Sequence, residues 1–328
     1  MSQNTVLEIK DLEVELYSEK GPLPVIDKVN LSIKEGEIVG VVGESGCGKS
    51  MLASAIMNLL NSPAQIAAGT IFYEGQDMTT LSTKEFQKIR GNEISMIFQE
   101  PMTSLNPLMK VGKQIEEAIK AHEKVTTAEL KERAIAAIRD VGIPQPEKVY
   151  HDIPSRLSGG MRQRIMIAMA LVCHPKLLIC DEPTTALDVT IQAQILRLIK
   201  KLRDETNTAV IFISHDMGVI YQMVDRVVVM YAGQFVESAP CKKLFEKPLH
   251  PYTIGLQNAI PQINKQQSSL QDIPGSVPML DNLPEGCLFA PRCPFAKAEC
   301  FTKKVPLKHY GDHDVRCLLV DEGGWHNE

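Results

Sequence analysis

Apolar and polar positions alternate along the first forty residues. The runs LEVEL (12–16), VNLSI (29–33) and EIVGVVG (37–43) read as strands, the last one buried. A helix is expected from Lys49 to about Leu60, with further strands near 69–73 and 93–98. Between 112 and 140, Ile115, Ile119, Leu130, Ala134 and Ile138 recur at helical spacing among Glu, Lys and Ala, which predicts a helical insert. KLLICDE (176–182), AVIFIS (209–214) and RVVVMY (226–231) are short buried-strand candidates. The segments between them have helical length and pattern, which favours a parallel sheet with crossover helices. After about residue 240 periodicity is lost and prolines scatter through the chain, from Pro251 and Pro261 to Pro294 and Pro306.

Composition sets limits. The chain has 328 residues, 44% of them hydrophobic, enough for one large core or two moderate ones. The formal net charge of −5 offers no global attraction to nucleic acid or to an anionic membrane surface. The N-terminus lacks a basic head followed by an apolar run, so no secretory signal is expected. The longest apolar run, IMIAMALVC (165–173), is far short of the roughly 20 residues a spanning helix needs. Any membrane role therefore requires a partner.

GESGCGKS (43–50) fits G-x-x-x-x-G-K-[ST] and lies between an apolar strand and a helix, the context this motif requires. Glycines let consecutive N–H groups turn inward around phosphate oxygens, and the helix N-terminus adds its dipole. The nucleotide-binding run is Gly43, Ser45, Gly46, Cys47, Gly48, Lys49, Ser50 and Met51. Lys49 is expected on the β- and γ-phosphates and Ser50 on Mg²⁺; Cys47 reads as a small residue that fits the loop. In LLICDE, Asp181 ends a buried strand and can bind Mg²⁺ through water, while Glu182 can polarise the attacking water. LSGGMRQR (157–164) is a second phosphate-binding element: Ser158 can cap the following helix, and Gly159 and Gly160 leave N–H groups open to an anion. One active site does not need two such elements. Two on one chain make sense if chains pair head to tail, each LSGG closing on the other's ATP.

In this order, the motifs resemble those of the ATP-binding subunits of ABC transporters: Tyr17, GESGCGKS, Gln99, LSGGM, LLICDE, TALD (185–188) and His215 in ISHD. The resemblance implies that Tyr17 stacks on adenine and that Gln99 links Mg²⁺ and water to a membrane subunit. It also implies that Asp188 organises the dimer seam and that His215 contacts the γ-phosphate. A strand aromatic at 17 could otherwise be core, and His215 alone could be structural. Met161 departs from the family's common signature, where Gln stands. FQEPMTSLNPLMKVG (98–112), LSGGMRQRIMIAMAL (157–171) and HPYTIGL (250–256) look like the dipeptide and oligopeptide permease branch. The implied fold is an α/β P-loop ABC-type ATPase core at 1–240, comprising a parallel sheet, an antiparallel β-subdomain and a helical subdomain at about 100–165. A small irregular metal-binding extension occupies 241–328. The implied role is ATP hydrolysis that powers peptide import from the cytoplasmic face of the cell membrane. Expected partners are two integral membrane permease subunits, a second, paralogous ATPase and, indirectly, an extracellular substrate-binding protein; no nucleic acid is expected. Nickel or metal-chelate uptake, and a soluble ABC ATPase with redox or iron sensing, are the alternatives.

Cys287, Cys293, Cys300 and Cys317 gather in the last 42 residues, whereas Cys47, Cys173, Cys180 and Cys241 are scattered. Disulfides are disfavoured in the cytosol, which points to a metal centre. Structural zinc usually takes at least one C-x₂₋₄-C pair, and none occurs here. Four thiolates can hold a four-iron, four-sulfur (4Fe–4S) cluster, a motif that the resemblance to peptide-permease ATPases also implies. Zinc and unligated thiols remain the alternatives.

Overall fold

The computed structural model describes residues 4–19, 21–99, 104–185, 187–259 and 273–322. Parts of the 98–112 and TALD segments, and Pro261, lie outside them. The chain begins with β1 (Thr5–Ser18), β2 (Gly21–Lys34), β3 (Ile38–Val42), α1 (Lys49–Ile56), β4 (Ala64–Tyr73), β5 (Gln76–Asp77), α2 (Thr83–Ile89) and β6 (Ile94–Ile97). Next come α3 (Val111–Lys120), α4 (Thr127–Asp140), α5 (Pro146–Val149), α6 (Gly159–Leu171), β7 (Leu177–Asp181), α7 (Val189–Thr206), β8 (Ala209–Ser214) and α8 (Met217–Met223). The remainder holds β9 (Arg226–Tyr231), β10 (Gln234–Pro240), α9 (Cys241–Glu246), α10 (Pro251–Asn258), α11 (Ala298–Thr302), β11 (Lys308–Tyr310) and β12 (His313–Val315). No described helix is long and apolar enough to cross a membrane.

Two compact units form. The first comprises Met1–Leu7, Ile33–Glu37 and Tyr73–Ile211. In it β6 and β7 pair in parallel, Ile94 opposite Leu177 and Ile97 opposite Cys180. Every residue of both strands is buried, as expected of parallel strands covered on both faces. The predicted helical insert is two helices, α3 and α4. Its five apolar markers, Ile115, Ile119, Leu130, Ala134 and Ile138, are all buried, as their helical spacing predicts. Thr126 caps α4, accepting from the Glu129 N–H, and Asp188 caps α7, accepting from the Ile191 N–H at 2.9 Å.

The second unit comprises Glu8–Ser32, Ile38–Phe72 and Phe212–Glu328. Its strands run β2-β1-β4 in one sheet and β11-β12-β10-β9-β3 in another. β3 pairs with β9 in parallel, Val39 opposite Arg226 and Val42 opposite Val229. β9 turns back into β10 through Ala232 and Gly233, both at positive φ (43° and 82°), which matches the right-handed twist of a tight hairpin. β12 pairs antiparallel with β10, so residues beyond 240 supply strands as well as loops. α1 stops at Ile56, short of the expected Leu60, where Asn58 takes a left-handed conformation (φ 49°).

Candidate ATP site and cysteine-lined pocket

In the second unit, β3 delivers the chain to Gly43 and α1 leaves from Gly48. A Cβ on Gly43 would lie 2.2 Å from the Met230 carbonyl oxygen, so only glycine lets the loop pass β9. Gly48 sits at φ 109° and precedes α1 without any side-chain cap, so capping side chains do not occupy the first-turn N–H groups. Lys49 is buried; its Nζ donates to the carbonyls of Gly43 (2.7 Å) and Glu44 (2.9 Å). The ammonium is thus held within the loop that Gly43, Ser45, Gly46, Cys47, Gly48, Ser50 and Met51 complete. Burial pushes the Cys47 thiol up despite neighbouring Lys49, so Cys47 is a neutral packing residue.

Two further expected residues belong to this unit. Tyr17 is 46% exposed near the end of β1, which removes the alternative that it fills the core. His215 follows β8 and is exposed. Beside it Asp216 caps α8, accepting from the N–H groups of Gly218 (2.7 Å) and Val219 (3.2 Å), while the Ser214 hydroxyl accepts from the Asp216 N–H.

In the first unit, β7 ends at buried Asp181. Glu182 follows in a left-handed conformation (φ 46°) that a non-glycine residue rarely adopts. Its Oε2 accepts from Gln99 Nε2 at 3.3 Å and from the Thr185 hydroxyl at 2.9 Å. Gln99 and Glu182, separated by 83 residues, are therefore together. The sequence signals this role for Thr185 only by a hydroxyl three positions after the carboxylate. Ser158 caps α6 as expected, accepting from the Met161 N–H at 3.3 Å. Met161 enters this cap through its backbone, so its unusual side chain leaves the helix start intact. Ser158 and Gly159 are exposed.

The four C-terminal cysteines line one small pocket of the second unit with His250, Phe289 and Val305. None of the eight cysteines is bridged. Cys300 and Cys317 pack as apolar residues with Leu249, Ala290, Val315 and Leu319. Burial raises the Cys287 thiol and pushes Cys293 up to about 11 and Cys317 up to about 12. Among the described residues no three His, Cys, Asp or Glu side chains converge as a metal-ion site requires. The expected metal-binding character of the extension is therefore not formed by convergence: neutral buried thiols pack with apolar neighbours.

A glycine loop between a buried strand and a helix, with a lysine folded into it, defines a P-loop nucleotide-binding protein. Residues 26–185 match the family model described as "ABC transporter", and residues 236–300 match "Oligopeptide/dipeptide transporter, C-terminal region". The chain is 50% identical over 323 residues to the oligopeptide transport ATP-binding protein AppD of Bacillus subtilis, covering 98% of each chain. It is 50% identical over 304 residues to a probable peptide ABC transporter ATP-binding protein of Sinorhizobium fredii, covering 92% of this chain and 90% of that one. Among solved structures, the dimeric structure of a bacterial ABC transporter cassette, MJ0796, superposes with a TM-score of 0.65 at 27% identity, covering 72% of this chain and 98% of that one. The chain belongs to the ATP-binding subunits of ABC transporters, in the oligopeptide/dipeptide branch, and it is an ATPase.

Proposed function

We propose that this chain hydrolyses ATP to drive uptake of dipeptides or oligopeptides through a membrane ABC transporter. One observation carries the reading: Glu182, which directly follows a buried strand, is held by both Gln99 and Thr185 in a chain whose residues 236–300 match the peptide-transporter C-terminal region. In this mechanism Lys49 and the loop N–H groups bind the phosphates, Tyr17 stacks on adenine, and His215 meets the γ-phosphate. Glu182 orients and polarises the attacking water. Thr185 and Gln99 fix its carboxylate, so the group loses little freedom on reaching the transition state. Ser50, Gln99 and Asp181 would hold Mg²⁺, which when bound offsets phosphate charge.

The reading pairs this chain head to tail with a second, paralogous ATPase at the cytoplasmic face of two permease subunits, an outside binding protein supplying peptide. Gly159 supports it: its neighbours and its own helix backbone aside, no described residue lies within 4 Å of a Cβ placed there. That open space suits the close approach of a partner's nucleotide. Asp188 caps α7, and the family resemblance assigns it to the seam. MJ0796, the structural relative, is itself dimeric.

Cys287, Cys293, Cys300 and Cys317 would hold a 4Fe–4S cluster. What supports this reading is that all four line one pocket, and four Cys ligands are what such a cluster needs. Such a centre would tie together a segment with little core of its own.

The test is co-assembly with the permease subunits in proteoliposomes. Peptide should stimulate ATP hydrolysis, and Glu182→Gln should keep ATP binding while lowering turnover by about a hundredfold or more. Stimulation by nickel or a metal chelate instead of peptide would move the cargo assignment. Near wild-type hydrolysis by Glu182→Gln would remove Glu182 from the reaction.

A further inference from the structure

The Arg292 side chain is 5% exposed, on a short 3-10 turn (Ala290–Arg292) directly before Cys293. It forks onto the Glu44 carboxylate: Nη1 donates to Oε2 at 2.7 Å and Nη2 to Oε1 at 2.9 Å. Parallel N–H···O bonds of this kind fix orientation as well as charge. The remaining donors are also engaged. Nε donates to the Pro274 carbonyl at 2.8 Å, and Nη2 also reaches the carbonyls of Ile273 and Gly275, each at 3.3 Å. The rings of Tyr231 and Phe289 lie within 6 Å of the guanidinium carbon, and the bond to Glu44 holds the guanidinium well above its ordinary pKa.

Glu44 is the second residue of the P-loop, and the surrounding chain engages each of its polar groups. Its N–H donates to the Tyr252 hydroxyl at 2.8 Å, its carbonyl accepts from Lys49, and its carboxylate is taken by Arg292. Tyr252 is itself buried against Tyr231 and Phe289. Two residues beyond position 240 therefore grip the residue from which the phosphate loop departs. An acidic side chain in such a loop is otherwise a liability, because its charge opposes that of an incoming polyanion.

We propose that Arg292 is a positioning residue for ATP binding: it holds the P-loop through Glu44 and cancels a negative charge that would oppose the triphosphate. The proposal rests on residues 43–50 being the nucleotide loop. It makes the cysteine-bearing segment a determinant of nucleotide affinity, since the residue next to Cys293 sets the loop.

The test is ATP affinity of the full chain by calorimetry, with circular dichroism and thermal unfolding of each variant. Arg292→Met should raise the Kd for ATP by about 10- to 100-fold. Adding Glu44→Gln to Arg292→Met should restore affinity to within about threefold of Glu44→Gln alone, because the stranded charge is gone. Lost packing, or the freed carbonyls at 273–275, could not be rescued this way. If Arg292→Met does not fold, Arg292→Lys keeps a cation but not the fork; it should weaken ATP binding by about threefold to tenfold, and Glu44→Gln should erase that loss. Wild-type affinity in the Arg292 variant that folds, or a loss that Glu44→Gln does not rescue, would overturn the proposal. Lys49→Ala separates the premises. Retained ATP binding in that variant removes the P-loop assignment, whereas its loss alongside an unaffected Arg292 variant removes only the role of Arg292.

Discussion

Gly159 and Gly160 are neighbours that lack a side chain for opposite reasons. A Cβ on Gly160 would sit 2.8 Å from Ile191 Cγ2, so that glycine serves the packing of α6 against the start of α7. Gly159 has open space around it. Gly160→Ala should therefore destabilise the isolated chain by about 1–3 kcal/mol, seen as a lowered Tm. Gly159→Ala should leave that Tm unchanged or slightly raised, because alanine suits the first helical turn better. Its effect should appear in the assembled transporter, as lost ATP turnover. Equal destabilisation by both would show that Gly159 also serves internal packing. The sequence displays two identical letters here, and the distinction lies in Ile191, about thirty positions away. The same limit hid Glu44 and Arg292. Their pairing spans 248 residues, and neither belongs to a periodic or motif signal that could have joined them.

At the scale of elements, the runs of uninterrupted apolar residues were the legible part. AVIFIS and RVVVMY are strands to the residue, and every position in them but Arg226 is buried. β1 and β2 each run to fourteen residues, longer than the short patterns suggested, since their outward positions tolerate charge. β12 was invisible: three residues, His313–Val315, carry no period. Its place is fixed by a buried acidic side chain. Glu237 on β10 is fully buried; its carboxylate accepts from the N–H groups of Leu249 (2.5 Å) and His250 (3.0 Å) and meets His313 Nε2 at 2.6 Å. His250 in turn caps α10 through Nδ1, which accepts the Tyr252 N–H at 3.1 Å. Burial pushes that imidazole down to about 4, which keeps the accepting nitrogen free of a proton. One carboxylate thus joins a strand, a helix start and a second strand. Glu237→Ala would strand a buried histidine and two buried N–H groups, at a cost of about 3–5 kcal/mol in urea unfolding. Glu237→Gln keeps the acceptor oxygen and should lose clearly less. A loss below about 1 kcal/mol for the alanine variant would show that water replaces the carboxylate.

For the whole chain, the open matter is how residues beyond 240 are held. They contribute β12, the Tyr252 and Arg292 contacts to Glu44, and a pocket whose lining includes four thiols. Their own apolar cluster is small, and two of its six buried members, Cys300 and Cys317, are cysteines. Protonated thiols pack as modest apolar groups, so the segment can close without metal, though weakly. Raised thiol pKa values disfavour the thiolate that a metal requires, and a bound cation reverses that balance by taking the proton's place. Metal uptake should therefore release protons and stiffen the segment together. Anaerobically prepared protein should contain about four irons and four acid-labile sulfides per chain. Cys293→Ser should lose them, and in the full chain the loss should also lower ATP affinity, because Arg292 is the adjoining residue. One zinc with no sulfide would replace the cluster by a mononuclear site, and metal-free protein of unchanged stability would leave the four cysteines as core residues. A cluster whose removal leaves ATP affinity unchanged would confine its role to the segment itself and separate it from the Arg292–Glu44 pair.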